Sequence, residues 1–300
     1  MNRAIIIGAS GFLGRHVVGH LLDEGVEVHA VEHKHAIQAN VSGTIRGGIK
    51  ALGRDTINKI EPDFIFHCAR PVMPSLKKWG RMIAARKAAK YNSWLIKELR
   101  HVTIKPKLVF ASGSLMYGNA ARPHDEYAPL MPISYARQYY KGELPLLKNI
   151  QQKEFPVIMI RFPWLLGLDS WFNWFYLNPI LSHKLIPAFQ PADNMMEIIT
   201  VADAARIMVL YARNADAGIY NVPSPKVFAQ QEFLDMLASK FSAGIADHTE
   251  VFGNSLEKEA KEAFQSNILL TTNYDDLLKD FNFMTVESAL EKIRDKVFAK

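Results

Sequence analysis

The sequence predicts an α/β protein: a Rossmann-type, doubly wound parallel sheet with a smaller C-terminal substrate-binding region. Three observations predict it. Apolar runs of strand length alternate with amphipathic runs of helix length from Ala4 to Pro163. The first apolar run passes directly into a glycine-rich stretch, GASGFLG (Gly8–Gly14). After about Gly167 the alternation stops, and prolines and aromatics crowd DSWFNWFYLNPILSHKLIPAF.

The elements come in order. AIIIGA ends at the glycines and reads as a buried parallel strand. RHVVGHLLDEG carries Val17, Val18, Leu21 and Leu22 on one helical face and stops at Gly25, a suitable C-terminal cap. VEVHAVEH is the second strand, and DFIFHCA, preceded by Pro62, is another. A long basic helix is expected from about Ser75 to Arg100. KLVFASGS is the next strand, Ser134 to Gln152 the next helix, and FPVIMIRFP the last strand of the alternation. Residues 1–166 are thus assigned to dinucleotide binding, and 167–300 to a substrate-binding region interlocked with it. No repeat or low-complexity tract is present.

Bulk properties exclude several function classes. With 300 residues, 49% hydrophobic and 22% charged, the chain can build a sizeable core. Its single cysteine, Cys68, excludes an internal disulfide and suits a reducing, cytoplasmic setting. The start, MNRAIIIGAS, has too short an apolar run for a signal peptide. The most apolar stretch, Phe155 to Leu181, is broken by Arg161 and Asp169, so no membrane span is expected. Net charge is +6, with Lys and Arg concentrated between Lys77 and Lys107 in a helical pattern. A solvated helix face explains them, and no nucleic-acid partner is expected. His16 and His20 have zinc-ligand spacing, but HVVGH lacks a general-base Glu, so no metal is expected. HKH at 33–35 reads as a solvent loop, Asp275, Asp276 and Asp280 as a solvated face, and His67 as structural.

The glycine loop carries the main functional signal. Gly8 permits a tight turn, Gly11 lets backbone approach a pyrophosphate, and Gly14 lets the helix pack close to the sheet. Ser10, Phe12 and Leu13 complete the loop, and the helix start offers free N–H groups to phosphate. Glu32 ends the second strand, 24 residues after Gly8, where a carboxylate accepts from ribose hydroxyls. That favours NAD. His33, Lys34 and Arg15 lie close enough in sequence to receive a 2′-phosphate, so NADP stays open. Cys68, Ala69 and Arg70, at the end of DFIFHCA, are further candidate cofactor contacts.

The chain resembles the extended short-chain dehydrogenase/reductase family, the NAD-dependent epimerase/dehydratase group. GASGFLG, PDFIFHCA, VFASGSLMYG, SYARQYY, RFPWLLG and ITVADAARI carry the resemblance over about residues 4–222. It implies a Rossmann domain, a smaller C-terminal region, a proton-transfer role for Tyr135, and commonly a homodimer through helices at about 78–100 and 134–152.

The departures from the family pattern bear on chemistry. Counting back four from Tyr117 gives Gly113, where the resemblance implies a Ser or Thr hydroxyl; Ser112 and Ser114 flank it. Neighbours on a strand face opposite ways, so either serves only if the chain shifts locally. Tyr139 occupies the place of the family's lysine. At roughly 100° per residue, i+4 returns within about 40° of the starting face, whereas i+6, Lys141, lies about 240° away. Without an ammonium, Tyr135 can donate a proton but is a poor base at neutral pH. Arg70 is either replacement charge or a surface arginine. Gly48 lacks the carboxylate the family places near adenine. Trp164 stands for an Asn and Met196 for an Arg of nucleotide-sugar enzymes. With Trp171, Phe172, Trp174, Phe175 and Tyr176 nearby, an apolar or aromatic small molecule is expected rather than a nucleotide-sugar, unless these aromatics are core or dimer contacts.

The expectation is therefore an NAD(P)-binding enzyme of remodelled site, with Tyr135, Ser114, Ser112 and Tyr139 as catalytic candidates. Trp164, Trp171 and Met196 are its substrate-binding candidates. Carbonyl/hydroxyl oxidoreduction is the leading reaction. A non-redox cyclase, dehydratase or isomerase and a non-catalytic dinucleotide-binding protein are the alternatives.

Overall fold

In the computed structural model, residues 2–33, 35–71, 77–253, 256 and 258–299 are described, the side chains of 77 and 78 excepted. The first apolar run forms β1 (Arg3–Ile7), buried from Ala4 onward. It leads through the glycines into α1 (Gly14–Asp23), which buries Val17, Val18 and Leu21. The chain continues with β2 (Glu27–Glu32), β3 (Gly43–Arg46), α2 (Arg54–Ile60), β4 (Phe64–His67), α3 (Lys77–Leu99), β5 (Lys107–Gly113), α4 (Arg137–Gln152) and β6 (Val157–Phe162). The expected start of α3 near Ser75 lies outside the described residues. α4 begins at Arg137 rather than Ser134, although Arg137 N already bonds Ile133 O, so Tyr135 sits in the helix's opening turn.

The rest of the chain adds β7 (Trp164–Leu166), α5 (Asn178–His183), β8 (Leu185–Ala188), β9 (Met195–Thr200), α6 (Val201–Asn214), β10 (Gly218–Asn221), β11 (Val227–Ala229), α7 (Gln230–Phe241), β12 (Gly244–Asp247), α8 (His248–Phe252), α9 (Lys258–Phe264) and α10 (Val286–Phe298).

The main sheet has seven parallel strands in the order β10-β6-β5-β4-β1-β2-β3. Chain order runs outward one way from β1 through β2 and β3, then returns to β4 on β1's other side. A crevice opens at that reversal, beyond the C-terminal ends of β1 and β4. Two strands depart from the sequence-based expectation. β3 is short and half-exposed, and β10 has four residues without an apolar run. Because β10 pairs with β6, a cut at 166/167 does not separate the main sheet from the C-terminal part of the chain.

Residues after β6 also build a second core. β11-β9-β7 and β12-β8 form two small sheets. Phe172, Tyr176, Phe189, Phe233 and Phe264 are buried between them and the helices, so the aromatic run is largely core, with Trp174 exposed. Among the described residues no helix is long and apolar enough to cross a membrane. Nor does any group of three or more His, Cys, Asp or Glu among them suit a metal ion.

Glu197 on β9 is 2% exposed and accepts a hydrogen bond from Leu270 N at 2.8 Å. Burial raises its carboxyl from 4.5 to about 8. The folded chain therefore keeps a proton that the unfolded chain releases above 4.5. The resulting stability is fully present below that value and is lost as pH rises toward 8. Glu197→Gln keeps an acceptor oxygen and removes the titration. Urea midpoints of the variant are expected to stay flat between pH 5 and 8, where the parent's fall.

Candidate functional site

The glycine loop closes tightly on the crevice. Gly8 has φ 84°, and a Cβ there would lie 2.8 Å from Ala69 N. A Cβ on Gly14 would lie 2.0 Å from Gly8 O, an overlap no side chain tolerates. Gly11 N donates to Gly8 O at 2.9 Å. The start of α1 is thereby drawn against the end of β1, with Ser10 and Gly11 exposed at the crevice. Leu13 turns into the core, leaving only its backbone to offer a ligand, and Phe12 packs beside Gly167 and Val201. The cradle fits a dinucleotide pyrophosphate, whose charge the α1 N–H groups would meet.

At the end of β2, Glu32 Oε1 accepts from Ile37 N at 3.0 Å, and Oε2 lies 3.7 Å from Arg46 Nε. His33 is exposed, with its ring beside Gly48, and Lys34 lies outside the described residues. Gly48 adopts φ 72°, which favours glycine and accounts for the absent carboxylate. Arg15 does not join this group. It pairs with Asp169 at 2.9 Å and donates to Leu168 O at 3.1 Å, so its charge is engaged away from Glu32.

Cys68 continues the ladder, its N donating to Ile7 O at 2.9 Å. Burial pushes its thiol up to about 12, which removes it as a nucleophile. Ala69 packs on Gly8. Arg70 is exposed, and its guanidinium carbon stands 4.4 Å from the centre of the Tyr139 ring.

Tyr135 and Tyr139 lie side by side, ring centroids 5.5 Å apart. Burial, and contact with the Tyr135 hydroxyl, push Tyr139 up to about 12 against the opposing charge of Arg70. Lys141 is exposed two residues on, as helical geometry requires. Arg81 on α3 stands 5.8 Å from the Tyr135 ring centre and 3.6 Å from Glu259.

The two serines flank Gly113 in different settings. Ser112 Oγ donates to Glu143 Oε1 at 2.7 Å, and Ser114 is buried in the turn after β5. Neither hydroxyl bonds Tyr135 or Tyr139. Gly113 is extended, and a Cβ on it would meet only Phe162 O at 3.7 Å, leaving room for a side chain.

The substrate candidates divide. Trp164 is half-buried, stacks on Phe264 at 5.0 Å and meets Trp171 edge-on at 5.0 Å. Trp171 donates its indole N–H to Leu165 O at 2.9 Å. Met196 is 2% exposed inside the second core, which corrects its placement on a substrate wall: packing, not a ligand, occupies its thioether.

Sequence reasoning missed several groups. Glu143 and Arg161 are buried on facing elements, Arg161 opposite Ser112 in the β5–β6 register. The Arg161 guanidinium lies 4.8 Å from the Tyr117 ring centre, and its charge moderates the burial that raises Glu143. Glu143 stands one turn after Tyr139, a spacing that could have flagged it. His67 donates to Asn92 Oδ1 at 3.0 Å, and Asn92 donates to Gly142 O at 2.8 Å. Burial lowers His67 to about 4, so it is neutral and structural, as expected. Helix α9 closes over Tyr135: Glu262 accepts from Ser134 N at 3.2 Å, and Ala263 packs with Ile133 and Ala136.

The model of the NAD dependent epimerase/dehydratase family matches residues 4–222. The chain belongs to that family. Its members are NAD-dependent enzymes, and the Gly8–Gly14 cradle with Glu32 fits NAD. No curated protein matches the chain. Among solved structures it is similar to UDP-glucose 4-epimerase of Thermotoga maritima, at 15% identity and TM-score 0.78, over 98% of both chains. It is also similar to UDP-glucose 4-epimerase of Thermus thermophilus bound to NAD, at 18% identity and TM-score 0.76, again over 98% of both. The dTDP-glucose 4,6-dehydratase of Streptomyces venezuelae is 16% identical, TM-score 0.76, over 98% of this chain and 96% of the other. At these identities the likeness is one of fold.

For this family member the buried Arg161 and Glu143, coupled through charge without a direct contact, set a stability test. Arg161→Leu removes the positive charge that opposes the burial-raised Glu143 carboxyl and should lower the urea midpoint. Arg161→Leu with Glu143→Leu should recover most of that loss in denaturant titrations.

Proposed function

We propose that the chain is an NAD-dependent carbonyl reductase acting on an apolar or aromatic small molecule, with Tyr135 as the proton donor. One observation carries this reading: a phenol pair, Tyr135 and Tyr139, stands where the family has a phenol and an ammonium. Tyr139, pushed up to about 12, is neutral at pH 7 and cannot lower the cost of a Tyr135 phenolate as a lysine does. A phenol in that setting gives up a proton to a developing alkoxide more readily than it takes one from an alcohol. Reduction is therefore favoured over alcohol oxidation near neutral pH.

The Gly8–Gly14 cradle and Glu32 would hold NADH, which would supply the hydride. Tyr135 holds its proton at the substrate oxygen, and Tyr139 keeps the Tyr135 ring in place. Half-buried Trp164, backed by the buried Phe264 ring, offers an apolar face where nucleotide-sugar enzymes have an Asn. Glu143 and Ser112 bind each other and stay out of the reaction. NADP stays open through His33 and Lys34, since Arg15 is engaged elsewhere. A cytoplasmic location belongs to this reading, supported by the lone cysteine. So does a homodimer through α3 and α4, supported by exposed Trp79 and Leu144 on those helices.

The similarity to nucleotide-sugar epimerases and dehydratases supports a second reading, a nucleotide-sugar substrate. Loss of NADH absorbance on addition of aromatic aldehydes and ketones, against turnover of a UDP-sugar, separates the two. Product formed with no net change in cofactor redox state would instead favour an epimerase, dehydratase or isomerase.

Tyr135→Phe is expected to lower kcat/KM for carbonyl reduction by about 100-fold or more while NADH binding, read by fluorescence, is kept. Tyr139→Lys with Gly113→Ser restores the family pair, and the open space at Gly113 admits the serine. That variant should raise alcohol oxidation at pH 7 by about tenfold or more. Equal oxidation rates in parent and variant would overturn the assignment of Tyr135 as an acid without a base.

A further inference from the structure

Removing the family's lysine leaves a charge problem beside Tyr135, and among the described residues Lys141, Arg81 and Arg70 are the candidates to meet it. Lys141 is exposed on another face of α4. Arg81 reaches the Tyr135 ring from α3, but Glu259 of α9 sits 3.6 Å from it and offsets its charge. Arg70 is the third. Its guanidinium lies on the Tyr139 ring, 4.4 Å from centroid to carbon, and no carboxylate among the described residues is within ion-pair distance of it.

The backbone of Arg70 is also fixed where it matters. Cys68 N is bonded to Ile7 O, and Ala69 lies against Gly8 so closely that a Cβ on that glycine would meet Ala69 N at 2.8 Å. Arg70 therefore leaves the β1/β4 reversal at a set angle and spans from the cofactor cradle to α4. Cations over an aromatic face are held by about 0.5–2 kcal/mol, more as water is excluded. A guanidinium also keeps its charge on partial burial, where an ammonium tends to lose it.

We propose that Arg70 is a positioning residue that takes over the electrostatic part of the missing lysine's work, holding the Tyr135–Tyr139 pair and lowering the cost of negative charge on it. This rests on the reading of Tyr135 as proton donor. When Tyr135 gives its proton to the substrate oxygen, negative charge forms on the phenol pair. Arg70 faces that pair from the end of β4, and Arg81 from α3. On α4 itself Arg137 and Lys141 are exposed to solvent, and Glu143 is turned to Ser112. From α9, Glu259 is engaged with Arg81, and Glu262 with Ser134 N. Among the described residues, Arg70 is thus the cation in contact with the pair that no carboxylate offsets. The opposing effect of Arg70 on the burial-raised Tyr139 phenol agrees with this placement.

The test reads the phenol directly and needs no substrate. Tyr139 is replaced by 3,5-difluorotyrosine, whose phenol is intrinsically more acidic, and titrated by fluorine NMR in the full-length protein. Arg70→Met should move the midpoint up by about one pH unit, and Arg70→Lys should bring most of that back. The urea midpoint of Arg70→Met reports whether the fold is kept. In NADH-coupled assays Arg70→Met should cost about tenfold in kcat/KM with Tyr139 present. It should cost less than about twofold in a Tyr139→Lys background, where an ammonium again serves the pair. An unchanged fluorine titration, or the same cost in both backgrounds, overturns the role of Arg70. Activity surviving in Tyr135→Phe overturns the reductase reading instead, and leaves the titration result standing.

Discussion

Three backbone segments meet at Gly8 with no space for a side chain between them. The end of β1, the start of α1 and the end of β4 are held within van der Waals contact, since a side chain on Gly8 would clash with Ala69 and one on Gly14 with Gly8. That closeness places the N-terminus of α1 over the sheet reversal and makes the crevice fit a pyrophosphate. It also fixes Arg70 in position, since Arg70 directly succeeds the contact residue Ala69. The cofactor site and the charge beside the tyrosines are thus consequences of one packing constraint.

A second constraint acts inside the sheet. Arg161 and Glu143 are buried ionisable groups in a low-dielectric interior, and the positive charge of one opposes the burial that raises the carboxyl of the other. Ser112 donates to Glu143, so the strand residue beside Gly113 is drawn toward α4 and away from the tyrosines. The hydroxyl lost at Gly113 cannot be recovered from Ser112 without breaking that bond. The catalytic remodelling is therefore built into the packing of β5, α4 and β6 rather than confined to one helix position.

The parts legible in the sequence were those set by local rules. Strand runs, the glycine loop, and the face shared by Tyr135 and Tyr139 depend on periods of two and 3.6 residues. Met196 and Arg15 were misplaced because their surroundings come from distant chain: the second core packs around one, and Asp169 captures the other. Arg70 and Tyr139 are 69 residues apart in the chain, and nothing local brings them together. Glu143 and Arg161 escaped notice because a charged residue is read as solvated until a facing element buries it. β3 and β10 were too short to stand out, and they exist because a neighbouring strand supplies their hydrogen bonds.

In the proposed reductase, the direction of chemistry stems from the surroundings of Tyr135. A lysine in place of Tyr139 would put a mobile, solvated charge within the pair, favouring phenolate and base chemistry. An aromatic ring there, covered by Arg70 on one side and by Tyr135 on another, stays protonated at neutral pH and confines positive charge to the outside of the pair. Charge then matters most at the moment a proton leaves Tyr135, since before that moment there is no anion for Arg70 to meet. An interaction that strengthens only as the transition state forms raises turnover without tightening substrate binding. The same contact eases the reverse step equally, so any bias in direction comes from the absent lysine and not from Arg70. On that argument the substitution of tyrosine for lysine biases the site toward reduction.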